Sequence, residues 1–362
     1  MINKISFVVP VLNEEENIEI FSQKIIKVLD VLNLKYEVIF VNDNSSDKTQ
    51  EKIEKVSNYF SNFRGILRIG RTGLASAVIE GICAAKGQYI IVMDGDLQHD
   101  FDVLHEIVKN LHKVDIIVVS RDFQNLNKSL SNKRRKISNL GNVILSKFVK
   151  SEVSDVLSGY FAINKNFFIN NILPKLNNDL KGFKILFEIL YYAKDAKVID
   201  IKSKFKSRLH GKSKLNYNIF LDLFETLFNK IFNNLIPWKF VVFVLMGLIG
   251  ASSHLLVLHI FFNNLEWSFF KSQSLATFTA MTLNFFMNNF ITFRENQIYR
   301  YSIVLGLVKF YLICSIGAAS NIIISNYIFS KDINWLLSGL IGAAIGSVWN
   351  FSVSSTIVWK KI

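Results

Sequence analysis

From Trp238 onward the chain runs almost free of charge in long blocks, whereas up to about Leu215 it mixes charged and apolar residues. Hydrocarbon offers no partner to backbone N–H and C=O groups, so blocks of this kind fold as helices through lipid. The two parts of the sequence therefore fold in different solvents. The apolar blocks fall at about Phe240–Phe262, Ser272–Phe293, Ile303–Phe329 and Trp335–Val358. Each meets the roughly 20 residues needed to cross a bilayer. For 362 residues, about two domains are expected. The boundaries read as 1–215 for a soluble α/β domain, 216–238 for a linker, and 239–362 for an all-α transmembrane domain of four helices.

The linker, Asn216 to Pro237, places Phe220, Phe224, Leu227, Phe228 and Ile231 on one helical face, with Asp222, Glu225, Asn229 and Asn233 elsewhere. That is the pattern of a helix lying in a membrane interface; a helix packed on the sheet domain is the competing reading. Lys239, Arg294, Arg300 and Lys360-Lys361 all flank the spans on one side. The excess of basic residues there puts both termini and the soluble domain in the cytoplasm, on a multi-pass protein of the cell membrane. A net charge of +13 suits an anionic surface, and the spans favour lipid over nucleic acid. Cys83 and Cys314, the only cysteines, are too far apart to suggest a disulfide framework or a zinc site. Ile5 to Pro10 is too short for the apolar region of a signal peptide.

Within the soluble part, Ile5–Val9, Tyr36–Val41, Gly65–Ile69, Tyr89–Met93 and Asp115–Val119 read as strands. Amphipathic stretches at Glu15–Leu32, Asp47–Phe60, Leu74–Lys86 and Phe101–His112 lie between them. Strand and helix alternating at this spacing imply a mostly parallel sheet covered on both faces. Such sheets bind ligands outside the carboxyl ends of their strands. The loops there are Pro10-Val11-Leu12-Asn13-Glu14, Val41-Asn42-Asp43-Asn44-Ser45-Ser46-Asp47, and Asp94-Gly95-Asp96-Leu97-Gln98. Two hard carboxylates one residue apart, at the end of a buried run, suit Mg2+ or Mn2+ holding a phosphate. Asp47 doubles as a candidate helix N-cap. No GxGxxG follows the first strand and no GxxxxGK[ST] occurs, which argues against dinucleotide oxidoreductases and P-loop NTPases.

On these three loops the chain resembles the inverting family 2 glycosyltransferases, of GT-A (Rossmann-like) fold. The resemblance implies that Pro10, Leu12, Glu14, Val41 and Asp43 hold the nucleoside of a nucleotide sugar. Asp94, Gly95 and Asp96 would hold its diphosphate, with Asp94, Asp96 and Gln98 on the metal. Asn42 departs from the family, which often has a second aspartate there. Asp155-Val156-Leu157-Ser158-Gly159-Tyr160, Gly182 to Ile189, and Arg208-Leu209-His210-Gly211-Lys212-Ser213-Lys214 narrow the resemblance to the dolichyl-phosphate mannose synthases. Those enzymes carry mannose from GDP-mannose to a polyprenyl phosphate. By that match Arg208 and Lys214 contact the donor diphosphate, and Arg121, Arg134 and Ser138 meet the acceptor phosphate.

The acceptor reading has independent chemical support. Family members that act on sugar hydroxyls carry a further aspartate as general base, because a hydroxyl must lose its proton during attack. The corresponding stretch, Lys181-Gly182-Phe183-Lys184, has none before Glu188, which lies in an apolar helical pattern and reads as a structural contact. A phosphomonoester is already largely dianionic at neutral pH and needs cations instead, a task suited to arginine's planar fork. One in-line displacement would invert the anomeric centre and give a β-linked polyprenyl-phosphate sugar.

The apolar part is similar to the GtrA-like four-helix membrane family through Thr282-Leu283-Asn284-Phe285-Phe286-Met287-Asn288-Asn289 and Trp349-Asn350-Phe351. Asn284, Asn288 and Asn289 share one side of a helix and read as interhelical contacts. His254 and His259 read as neutral contacts of the same kind. Two alternatives stand beside mannose transfer: a UDP-glucose or other UDP-sugar donor with undecaprenyl phosphate, and a flippase of lipid-linked sugar with a fused synthase.

Overall fold

A computed structural model describes residues 4–32, 34–70, 72–121, 141–176, 185–204, 225–226, 228–232, 235–333 and 335–360. The chain divides into two compact units, Met1–Phe224 and Glu225–Ile362, so the division falls inside the expected linker.

The first unit is built on a mixed, mostly parallel seven-stranded sheet in the order β3-β2-β1-β4-β6-β5-β7. Its strands are β1 (Ile5–Val11), β2 (Tyr36–Asn42), β3 (Phe63–Leu67), β4 (Tyr89–Val92), β5 (Ile116–Arg121), β6 (Phe161–Asn164) and β7 (Val198–Ser203). β1 is buried at every residue, as a continuous apolar run flanked on both sides must be. Pro10 is tolerated in this inner strand because β4 pairs with β1 only as far as Val8↔Val92, so no ladder partner calls for its missing N–H. Among the described residues, four helices connect β1 through β5: α1 (Ile18–Leu32), α2 (Thr49–Tyr59), α3 (Leu74–Ala84) and α4 (Leu104–Asn110). α1 buries Ile18, Phe21, Ser22, Ile25 and Leu29, a stripe of helical period laid on the sheet. Phe21 packs edge-on against Phe40 and Phe101 in the core between them. A further helix, α5 (Ile185–Tyr192), buries Glu188 among apolar neighbours.

Three sequence expectations shift. β3 lies two residues earlier than expected, because Phe63 rather than Ile69 enters the core; Ile69 is 80% exposed. α1 begins at Ile18 rather than Glu15, since Glu14 and Asn17 form a preceding turn. β6 and β7 were not expected. β6 is a four-residue strand inserted antiparallel between β4 and β5, too short to carry a periodic signal.

The second unit contains α6 (Trp238–His259), α7 (Phe269–Met287), α8 (Ser302–Phe329) and α9 (Trp335–Ile357). α6 and α7 each run on through a π-helical turn, Ile260–Asn264 and Asn288–Thr292. These helices coincide with the four apolar blocks. Among the described residues one, Trp238–Asn264, meets the length and apolarity needed to cross a membrane. Phe243, Phe285, Phe293, Phe310 and Trp359 form the buried core of this unit. Large apolar side chains such as Leu255, Leu256, Leu312 and Ile323 are instead more than 60% exposed on its surface. The amphipathic linker falls mostly outside the described residues; within it Phe228 contacts the Trp238 ring at 5.3 Å.

The asparagines separate into different roles. Asn289 accepts from the Ile298 N–H and the Trp359 Nε1–H, both at 2.9 Å, and donates to the Ile298 carbonyl at 3.1 Å. Asn288 bonds along its own helix, to the Asn284 carbonyl and Thr292. His254 meets Thr277 of α7 at 3.5 Å, whereas His259 bonds Asn263 on its own segment rather than a neighbouring helix.

Candidate functional site

The parallel strands β1, β2 and β4 release their loops at one edge of the sheet. The first two loops are braced together. The Asn13 N–H donates to Ser45 Oγ at 2.9 Å, and Asn13 Oδ1 accepts from the Ser46 N–H at 2.8 Å. The Glu14 N–H donates to Thr49 Oγ1 at 2.8 Å, and the Lys48 N–H to Glu15 at 2.9 Å. Asn13 and Asn44 both take left-handed backbone, which asparagine tolerates better than most residues. Asn42, the departure from the family pattern, accepts from the Ser45 N–H and donates to Gln50, so the loop uses its amide structurally. Asp47 is not the cap residue of α2, which is Lys48. It accepts instead from the Thr49 and Glu15 N–H groups. Burial pushes its carboxyl up, but these bonds and the Thr49 hydroxyl hold its pKa below the ordinary value.

Asp43 is nearly buried and both of its oxygens are engaged. One meets Arg68 Nη1; the other accepts from the Gly73 N–H at 2.8 Å. Arg68, whose side chain is 1% exposed, also donates to Ser76 Oγ, the Gly73 carbonyl and Glu80. Sequence reasoning missed Arg68. The one available signal was a charged residue immediately after β3, on the edge where the other loops emerge. Gly73 has φ +126°, backbone that an L side chain rarely adopts, so the turn that presents its N–H to Asp43 depends on glycine. Of the other residues expected at the nucleoside, Pro10 and Val41 are buried in their strands, and Glu14 accepts from Asn17 Nδ2 at 2.6 Å. Leu12 lies on the first loop.

The third loop follows β4. Asp96 and Gln98 are nearly buried, and the Gln98 N–H donates to Asp96 Oδ1 at 3.2 Å. Between them Leu97 adopts left-handed backbone (φ 62°) with its side chain in the core, a conformation that costs energy for a residue of this type. Gly95 lies against β1, where a Cβ would come within 2.7 Å of Val11. Asp94 is the more open carboxylate, with 35% of its side chain exposed.

The inserted strand β6 completes this site. Val92 pairs with Phe161, so continuing the register sets Asp94 opposite Gly159. A Cβ at 159 would sit 2.5 Å from Asp94 Oδ2; glycine leaves room for the carboxylate. Tyr160 packs on the His99 ring at 4.9 Å, and His99 Nε2 meets Asp94 Oδ2 at 3.2 Å. On the other side of β6 lies Arg121, last residue of β5. Its Nε and Nη2 donate to Asp155 at 2.6 and 3.2 Å. Burial alone would lower the guanidinium's pKa, but Asp155, with Asp94 beyond it, holds it above the ordinary value. Ser158 Oγ donates to the Val119 carbonyl, closing the β5–β6 corner. The segment Asp155 to Tyr160 thus orients both Asp94 and Arg121, a role that its motif alone did not disclose. Arg134, Ser138, Arg208 and Lys214 lie outside the described residues.

The donor set fits a hard divalent cation: two carboxylates and an amide oxygen from one tight loop, with a glycine cradle beside the open one. Among the described residues no cluster of three or more His, Cys, Asp or Glu could hold an ion by itself. Such an ion would need oxygens from substrate and water to complete its shell.

Residues 6–171 match the glycosyl transferase family 2 model, and residues 242–359 match the GtrA/DPMS transmembrane domain. The dolichol-phosphate mannosyltransferase of Pyrococcus furiosus is 29% identical over 369 residues, covering 98% of this chain and 99% of that protein. The enzyme of the same name from Saccharomyces cerevisiae is 30% identical over 230 residues, covering 61% and 85% respectively. Among solved structures, glucosyl-3-phosphoglycerate synthase from Mycobacterium tuberculosis, with Mn2+, UDP and glucosyl-3-phosphoglycerate, aligns at 20% identity over 62% of this chain and 79% of its own. The TM-score is 0.45, too low to carry residue roles across. The chain is a glycosyltransferase of family 2, belonging with the dolichol-phosphate mannosyltransferases and carrying a GtrA/DPMS transmembrane domain.

Proposed function

We propose that this enzyme transfers mannose from GDP-mannose to a polyprenyl phosphate at the membrane surface, by a single inverting displacement. The observation that carries the reading is the juxtaposition of Asp94 and Arg121 across Gly159. A carboxylate for a cation–diphosphate pair and a guanidinium for an incoming phosphate lie on the two strands that flank β6, at one edge of the sheet. Near-full-length similarity to a dolichol-phosphate mannosyltransferase supports the choice of sugar and acceptor.

Asp94, Asp96 and Gln98 would hold Mg2+ or Mn2+, which when bound supplies charge neutralisation for the departing diphosphate. Pro10, Leu12, Glu14, Val41 and Asp43 would frame the nucleoside, with Gly95, Arg208 and Lys214 at the phosphates. Arg121, Arg134 and Ser138 would receive the acceptor phosphate. Arg121 is already fixed by Asp155, so it presents a preset guanidinium rather than a flexible one. The nucleophile arrives ionised and needs no general base, so rate is gained by alignment and charge. Residues 239–362 would span the bilayer four times, with the 1–215 domain and both termini cytoplasmic, and residues 216–238 at the interface.

Radiolabelled GDP-mannose should yield a single-sugar lipid in membranes supplied with polyprenyl phosphate. Asp96→Ala should abolish the product; retention of transfer in that variant would remove the metal assignment. Greater thermal protection by UDP-glucose than by GDP-mannose would replace the sugar.

A further inference from the structure

The membrane unit repeats itself. Ile249-Gly250-Ala251 in α6 returns as Ile316-Gly317-Ala318 in α8, 67 residues later, each followed within two residues by serine. Asn284-Phe285 in α7 returns as Asn350-Phe351 in α9, and Phe293-Arg294 as Trp359-Lys360, both 66 residues later. The contacts repeat with the sequence. Asn284 lies flat on Gly250, where a Cβ would overlap its amide, and Asn350 lies on Gly317 in the same way. Both amide oxygens are buried without a hydrogen-bond donor. Each faces a glycine Cα, whose C–H is the weak donor that close helix pairs commonly use.

The aromatic hub obeys the same exchange. Phe243 meets Phe351 at 5.6 Å, and its counterpart Phe310 meets Phe285 at 5.8 Å. Phe293 meets Phe351 at 6.1 Å, and Trp359 meets Phe285 at 5.7 Å. Phe243 meets Phe293 at 6.5 Å, and Phe310 meets Trp359 at 5.7 Å. One contact maps onto itself: Phe293 stacks on Trp359 at 4.3 Å, with the planes 9° apart. A contact that is its own image lies on the axis relating the halves.

We propose that the membrane unit is a tandem duplication of one two-helix hairpin, and that the partner each hairpin's aromatic face fits is a second copy of itself. An isologous face requires residue i to meet j and j to meet i, as these rings do. Two helices per hairpin return the chain to the side it entered from, so the copies run parallel through the bilayer. Asn289 breaks the symmetry: it ties down Ile298 in the connection between the hairpins, and Ser355 stands at the equivalent place.

The test is reciprocity in the full-length protein in lipid nanodiscs. Two double-mutant cycles, Phe243→Leu with Phe351→Leu and Phe310→Leu with Phe285→Leu, should give equal coupling in melting temperature. Couplings that differ more than about threefold would overturn the proposal. A full-length chimera in which the second hairpin's sequence replaces the first should remain monodisperse and melt cooperatively. Aggregation of that chimera and of the converse one would likewise overturn it.

A separate observation, resting on the function proposed above, concerns His99. Its ring is nearly buried, packed against Tyr160, and directed at the open carboxylate of Asp94. We infer that His99 is a positioning residue that holds Asp94 in the orientation a cation needs, as ring nitrogens orient carboxylates around metal sites. His99→Gln, which can place an amide N–H where Nε2 stands, should keep Mn2+ affinity in an electron paramagnetic resonance titration within about threefold. His99→Leu should weaken it about 10–100-fold at unchanged melting temperature. Equal Mn2+ affinity in His99→Leu would sink the inference; a wild-type protein that binds no Mn2+ would instead sink the metal reading on which it rests.

Discussion

Two residues show how little material separates a working site from a blocked one. Gly159 matters for what it lacks, because any Cβ there displaces Asp94. Gly159→Ala should lower transfer more than about tenfold, chiefly through kcat, with little change in melting temperature; a Mn2+-dependent progress assay measures it. Arg68 matters for what it holds. Its guanidinium is spent on Asp43, Gly73, Ser76 and Glu80. Arg68→Met leaves a nearly buried carboxylate without its countercharge, which costs about 3–5 kcal/mol in comparable pairs. Chemical denaturation should show that loss, and donor affinity should fall before turnover does. The sequence marked Asp43 and Asp94 as residues of interest but not their supports, because Arg68 and Gly159 reach them across strand pairings invisible in a linear reading.

At the scale of elements, the brace between the first two loops has a pH signature. Asp47 is held below its ordinary pKa by hydrogen bonds that outweigh burial, and so is Glu37 by Ser6, the Lys86 N–H and Arg64. A depressed folded pKa stabilises above the unfolded value, and that contribution disappears as pH falls through the folded one. Stability of the soluble unit should therefore decline on acidification below about pH 4. Glu37→Gln should flatten the profile in that window; an unchanged acid limb in urea titrations at graded pH would show that Glu37 does not contribute. In the membrane unit, Asn289→Ala leaves the Ile298 N–H and Trp359 Nε1–H without their acceptor. It should lower melting temperature in nanodiscs while sparing donor binding, as measured by calorimetry. The helices were legible because a periodic face or a long apolar run announces them. β6 was not, because four residues carry no period and its place is set by the neighbours it pairs with.

For the whole molecule, orientation in the membrane can be tested on a native side chain. Cys83 lies exposed on the soluble unit, while burial raises its thiol pKa, so labelling needs alkaline buffer. A membrane-impermeant maleimide should label Cys83 in inverted vesicles and not in sealed right-side-out cells; the reverse pattern would place the domain outside. The sequence by itself determined that about the last third of the chain belongs in lipid, that residues 1–215 form a strand-and-helix sheet, and that two aspartates end one of its inner strands. Those are matters of composition and period, which each residue carries with it. Only the tertiary structure decided that an antiparallel strand brings Gly159 and Tyr160 beneath Asp94, that Asp155 sets the angle of Arg121, and that four helices pair as two like hairpins. Such placements come from strand register and side-chain packing, contacts between residues far apart in the chain, and no local propensity encodes them.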